Sequence, residues 1–74
     1  MAIDAAPGIA LTLNGREVEL PRAATVATLV EGFAPSARMV AVERNGEIVP
    51  RLRWEATPLV AGDRVELVRF VQGG

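Results

Sequence analysis

Few groups in this sequence could do chemistry: carboxylates, arginines, a few hydroxyls and the two chain ends. There is no His, no Cys and no Tyr. Without His, the commonest general base and metal ligand is missing. Without Cys there is no thiol nucleophile, no thiolate zinc site and no disulfide framework. All eight basic side chains are Arg, so no lysine can form a Schiff base or accept an isopeptide bond. Attention therefore falls on the last two residues, Gly73 and Gly74. One reading is a frayed terminus, since chain ends are commonly poorly ordered. The other is a carboxylate delivered into another protein's active site. Two residues without Cβ let the backbone pass a narrow channel and adopt any φ. In that reading Gly74 supplies the reacting carbonyl carbon, and Gly73 keeps the approach free of side chains.

The second candidate is the outward side of the last apolar run. In Arg64 to Val71, Val65 and Leu67 fall on one face and Glu66, Val68 and Phe70 on the other. If the first pair is in the core, Val68 and Phe70 are exposed beside the tail. Apolar side chains on a solvent face gather at partner sites. The competing reading is that sheet twist or the N-terminal segment covers them. Met39 and Ala41 fall on the same face. Trp54, the only Trp, reads as a loop anchor closing one end of the core. The flanking Arg51 and Arg53 read as solvated charges, and so do Glu17 and Glu19 on the outside of a hairpin. Asp63 suits the turn before the last strand.

Two hairpins and a helix must position these groups. Ile9, Leu11 and Leu13 alternate with smaller or polar residues, then Asn14-Gly15 precedes the alternating Val18 and Leu20. Two alternating runs joined by Asn-Gly predict a hairpin, 9–13 with 16–20, because a type I′ turn needs positive φ at both central residues. Val26, Leu29, Val30 and Phe33 then fall at i, i+3, i+4 and i+7 after the capping residue Thr25. That is one apolar helical stripe, predicted over 25–33, with Gly32 in its last turn or at its C-cap. Strands follow near 39–44 and 47–50, joined by Asn45-Gly46, and near 64–71. Pro50 cannot donate to a ladder and suits a short edge strand. Residues 51–62 read as irregular, anchored by Trp54 and Leu59. Val26, Leu29, Val30, Val40, Val42, Val65 and Leu67 should line one core. The class is α+β, with one helix packed across a mixed four- to five-stranded sheet.

At 74 residues this is one domain. A net charge of −1 gives no electrostatic reason to hold nucleic acid. No apolar run reaches the roughly 20 residues of a membrane helix. The first residues lack the pattern of a signal peptide, so the cytosol is the expected compartment.

Two Asn-Gly hairpins around one short helix, with a final strand running into Gly-Gly, resemble the ubiquitin-like β-grasp fold. More narrowly, VAVERNGEIVPR from Val40 to Arg51, Trp54, Thr57 to Leu59, and AGDRVELVRFVQGG to the end resemble the ThiS family of sulfur carriers in thiamine biosynthesis. The likeness runs over residues 9–74, and the stretch from Asn45 to Trp54 with the tail is its most specific part. The terminal Gly-Gly alone is shared with ubiquitin and with MoaD, the molybdopterin carrier. Residues 1–8, small and weakly patterned with the breaker pair Pro7-Gly8, read as a flexible extension that departs from the family, as does the irregular link Pro35-Ser36-Ala37. The resemblance implies a β-grasp domain at 9–71 and a reactive tail at 72–74. It implies a carrier that is not itself an enzyme and binds no cofactor. A ThiF-like adenylyltransferase, using ATP and Mg²⁺, would adenylate the Gly74 carboxylate. A cysteine desulfurase or another sulfur donor would convert the acyl-adenylate to a thiocarboxylate, and thiazole synthase, ThiG, would take the sulfur. Val68, Phe70 and Glu66 are the expected partner-binding face. A carrier for molybdopterin or another pathway, or a ubiquitin-like modifier, remain the alternatives.

Overall fold

The computed structural model describes residues 8–35 and 39–69. Five strands and one helix follow in the order β1 (Ile9–Leu13), β2 (Arg16–Leu20), α1 (Val26–Phe33), β3 (Val40–Arg44), β4 (Glu47–Ile48) and β5 (Arg64–Arg69). They form one sheet in the order β2-β1-β5-β3-β4. The last strand is thus the central one. It runs parallel to β1 and antiparallel to β3, while both hairpins are antiparallel. This is the mixed sheet and single helix that the β-grasp resemblance implies.

Both Asn-Gly pairs adopt the positive φ values that their hairpins require: Asn14 51°, Gly15 80°, Asn45 53° and Gly46 88°. Their side chains also hold β5. The Asn14 amide accepts from the Leu67 N–H (2.8 Å) and donates to the Leu67 carbonyl (3.1 Å). It thereby continues the β1–β5 ladder for one step after β1 has turned away. Asn45 accepts from the Arg64 N–H at 2.8 Å, at the start of the same strand. The strand that leads to the tail is therefore fixed at both ends by the two turns.

Helix α1 has eight residues and is too short to be stable without packing and capping. Thr25 caps it: its hydroxyl accepts from the Thr28 N–H at 3.3 Å, and the Thr28 hydroxyl accepts from the Thr25 N–H at 3.1 Å. The next two donors find partners far along the chain. Val26 N–H bonds to the Thr57 carbonyl (3.0 Å) and Ala27 N–H to the Trp54 carbonyl (3.1 Å). The segment that reads as irregular thus satisfies amides that the helix leaves unpaired. It begins as a 3-10 turn, Arg51–Arg53, and Leu59 is buried.

Val26, Leu29, Val30, Val42 and Val65 are buried as expected, joined by Leu11, Leu13, Leu20, Ala24 and Leu59. Val40 and Leu67 are partly buried against that cluster. Phe33, on the predicted stripe but not among the expected core residues, is 46% exposed at the last position of α1. One expectation needs correction. Strand β4 stops at Ile48 instead of reaching residue 50. Val49 N–H still bonds to the Val42 carbonyl at 2.8 Å, but Pro50, with no N–H and φ −60°, starts the 3-10 turn. Of the expected extension, residues 1–7 lie outside the described residues. Gly8 packs so closely on β2 that a Cβ there would collide with the Leu20 carbonyl oxygen.

Among the described residues Asp63 is the buried charge, 4% exposed. One oxygen accepts from Arg44 Nε and the Val60 N–H, both at 2.9 Å. The other accepts from Asn45 Nδ2 at 3.0 Å. Burial alone would raise its pKa, but the hydrogen bonds from Arg44, Val60 and Asn45 outweigh it and hold the carboxyl below its ordinary 3.8. A depressed folded-state pKa stabilises the fold above the unfolded value, and that contribution is lost as pH falls through the folded value. Asp63→Asn keeps the shape but points an amide N–H₂ at a set of donors. It is expected to cost about 1–3 kcal/mol at neutral pH. It should also flatten the loss of stability below about pH 4, as urea titrations at several pH values will measure. A variant as stable as the wild type at pH 7 would remove Asp63 from the structural account.

Candidate functional site

Strand β5 carries the expected site. Its parity places Val65 and Leu67 toward the helix, and Arg64, Glu66 and Val68 on the opposite, open face. Val68 is 49% exposed and Glu66 is exposed. The register sets Ala41 directly opposite Val68, Glu43 opposite Glu66, and Ile48 opposite Glu43. Ala41, Glu43, Ile48, Glu66 and Val68 together line one shallow depression. Ala41 pairs with Val68 on one side of Glu43, and Ile48, 63% exposed, lies opposite Glu43 on the other strand. Glu43 and Glu66 face one another across the ladder, an arrangement that costs stability when like charges are directly opposite. The open face thus combines exposed apolar groups with an unfavourable acidic pair, which suits a partner that covers the first and neutralises the second.

Two of the expected site residues, Glu66 and Val68, are brought together on this face. Phe70, Gly73 and Gly74 lie outside the described residues. Met39 is 49% exposed. Ile48 and Glu43 were not among the expected site residues. The cue for both was alternation continued across the second Asn-Gly turn, but only the register of β3 against β4 and β5 reveals that they share the face.

The other residues weighed in the sequence take structural places. Trp54 is half-buried, and its indole N–H donates to the Val49 carbonyl at 2.9 Å. The Arg51 guanidinium lies 5.4 Å from its ring centroid, a cation–π distance. Trp54 therefore closes the end of the core as expected. Arg53, Glu17 and Glu19 are exposed. Among the described residues no group of three or more acidic side chains is placed to hold a metal ion. No helix among them is long and apolar enough to cross a membrane.

Comparison with known proteins gives this arrangement its context. A model of the ThiS family matches residues 7–74. Sulfur carrier protein ThiS of Bacillus subtilis (strain 168) is 35% identical over 65 residues, covering 86% of this chain and 98% of that protein. A thiazole synthase of Paramagnetospirillum magneticum (strain ATCC 700264 / AMB-1) is 39% identical over 64 residues. That match covers 86% of this chain, which spans only 20% of the synthase's length. The crystal structure of the thiamine biosynthesis protein ThiS from Geobacter metallireducens superposes with a TM-score of 0.75 at 33% identity, over 89% of this chain and 100% of that one. The five-stranded mixed sheet, the single helix across it and a match along nearly the whole length agree, and the chain belongs to the ThiS family of sulfur carrier proteins.

Proposed function

We propose that this protein carries sulfur for thiazole formation as a thiocarboxylate on Gly74. The observation that carries the reading is the full-length likeness to a sulfur carrier protein in a chain whose central strand is followed, three residues on, by Gly73-Gly74. A carboxylate is a poor electrophile because its leaving group would be oxide. Attack of a Gly74 carboxylate oxygen on the α-phosphorus of ATP expels pyrophosphate and gives an acyl-adenylate. A persulfide sulfur then attacks the acyl carbon, and AMP leaves with the bonding pair. A thiol cleaves the remaining S–S bond, forms a disulfide with the donor sulfur and leaves the thiocarboxylate. The adenylating partner must hold ATP and Mg²⁺, since phosphoryl charge needs cationic stabilisation. The carrier has only to present the tail. Its lack of Cys suits the role, because an internal thiol could capture the activated terminus.

The relatives named as thiazole synthases support a synthase of that type as the acceptor of the sulfur. In them a stretch similar to this chain is part of the synthase polypeptide. A ThiF-like adenylyltransferase and a cysteine desulfurase or similar donor complete the set. The compartment that supplies ATP to such enzymes, the cytosol, is where this reading puts the protein.

The test is intact-mass analysis after incubation with an adenylating enzyme, ATP and a sulfur donor. Exchange of one oxygen for sulfur adds about 16 Da, the same mass as one methionine oxidation. The addition must therefore map to the C-terminal peptide and react with a thiocarboxylate-selective alkylating agent. An addition that maps to Met1 or Met39 defeats the proposal.

The open face has its own expected outcome. Val68→Asp sets a third carboxylate beside Glu66 and removes an apolar contact, while leaving the core untouched. Affinity for the adenylating enzyme should fall by about 2 kcal/mol or more, the scale of an interface hot spot. Calorimetric titration with a circular dichroism control will measure it. Unchanged affinity would take this face out of the interface.

A further inference from the structure

A second surface flanks the end of β5 on the helix side of the sheet. β1 ends at Leu13, so beyond it the sheet opens between the start of β2 and the end of β5. The opening is a groove of about 340 Å³. Leu13, Val18, Phe33 and Leu67 are its apolar lining, and Arg16 and Arg69, both exposed, line it as well. No acidic side chain lines it. Among the described residues neither guanidinium lies within ion-pair distance of a carboxylate. Asn14, at its base, is already committed to the Leu67 backbone. The half-exposed Phe33 thus lines an apolar slot that two unpaired arginines flank.

The two faces beside the tail carry opposite signs. The open face sets Glu43 against Glu66, and the groove sets Arg16 and Arg69 beside Phe33. We propose that this groove is a second docking surface, which receives an acidic segment bearing an apolar side chain from the adenylating enzyme. The inference rests on the sulfur-carrier reading above. Under that reading the Gly74 carboxylate must approach the triphosphate of ATP, an encounter of like charges. Interactions remote from the reacting atoms can offset that repulsion. Contacts on both faces beside the tail, with opposite charge on each, also fix the carrier in one orientation. A segment with one aromatic or branched aliphatic side chain between two carboxylates matches the apolar lining and both arginines.

The test uses the full-length chain with Arg16→Glu and Arg69→Glu together. Both side chains are exposed, so the melting curve should match the wild type. The dissociation constant for the adenylating enzyme should rise about tenfold at low salt, and the difference should shrink as salt is added. The neutral pair Arg16→Gln and Arg69→Gln should fall between. Phe33→Ala should weaken binding about tenfold with little salt dependence. An unchanged dissociation constant in the charge-reversed variant overturns the proposal. So does self-association of the free chain that the variant abolishes, which would make a second copy the occupant. Amide shifts at Arg16 and Phe33 on deleting residues 70–74 would make the tail itself the occupant and overturn it too. Failure of the underlying reading looks different: the wild type would neither bind the enzyme nor promote pyrophosphate exchange into ATP.

Discussion

Leu29→Ala is expected to bring the domain close to unfolding. Leu29 is fully buried, in the middle of α1, and packs in the same cluster as Val42 of β3 and Val65 of β5. Truncation of such a side chain loses the transfer free energy of the removed methyl groups and leaves a cavity, for a total of about 2–5 kcal/mol. A chain of this length has only about 4–11 kcal/mol of stability in all. Among the described residues the buried core consists of leucines, valines and alanines, so no long flexible side chain is there to close the gap. The melting temperature should drop by about 10–30 °C, as followed by circular dichroism. Val68→Ala on the open face should shift it by a few degrees at most. If the two variants melted alike, the helix would not be held by the packing described here.

What the sequence discloses about this fold follows from how local each cause is. Both hairpins are legible because alternation and an Asn-Gly pair lie within a dozen residues of each other. The helix is legible from its stripe and from Thr25. The mooring of β5 is not, because the Asn14 amide bonds to a residue 53 positions away. The helix N-terminus escapes for the same reason: the groups that accept from Val26 and Ala27 are backbone carbonyls of Thr57 and Trp54, which carry no side-chain signature. Phe33 shows the limit of periodicity. Its spacing puts it on the apolar stripe, but the stripe is covered only as far as the sheet beneath it extends. Asp63 reads as an ordinary turn residue, and its buried position becomes evident only when Arg44 and Asn45 arrive from another hairpin.

The candidate site divides in the same way. Val68 and Glu66 could be assigned to the open face once Val65 and Leu67 were given to the core, since parity is a property of one strand. Ile48 and Glu43 depend on the register between strands. The sign of the helix-side groove depends on Arg16 and Arg69, which are brought together only by the parallel pairing of the first and last strands. Sequence reading of a β-grasp chain thus finds the strand that bears the tail more readily than the surfaces that flank it.

Gly73→Val should reduce adenylation of the carrier by about a hundredfold or more while leaving the melting curve unchanged. The argument is geometric. The carboxylate must reach an in-line position behind the α-phosphorus of ATP, and misplacement by about 1 Å can cost a hundredfold. A β-branched side chain next to the reacting residue adds width where the partner's channel must close around the backbone, and it restricts the φ and ψ that glycine leaves open. The residue follows the last described strand in the sequence, and a glycine there has no side chain to withdraw from the core, so stability should not move. Conversion of the Gly74 carboxylate to an amide should go further and abolish the reaction, because no carboxylate oxygen remains to attack the phosphorus. Pyrophosphate exchange into ATP reports the first step alone and so separates activation from sulfur transfer. Wild-type rates with Gly73→Val would mean that the partner does not enclose the tail. Sulfur incorporation into the amidated chain would mean that the carrier atom lies elsewhere in the protein. If instead the valine variant is adenylated slowly but its thiocarboxylate yields sulfur to the synthase normally, the constriction belongs to the activating enzyme and not to the synthase.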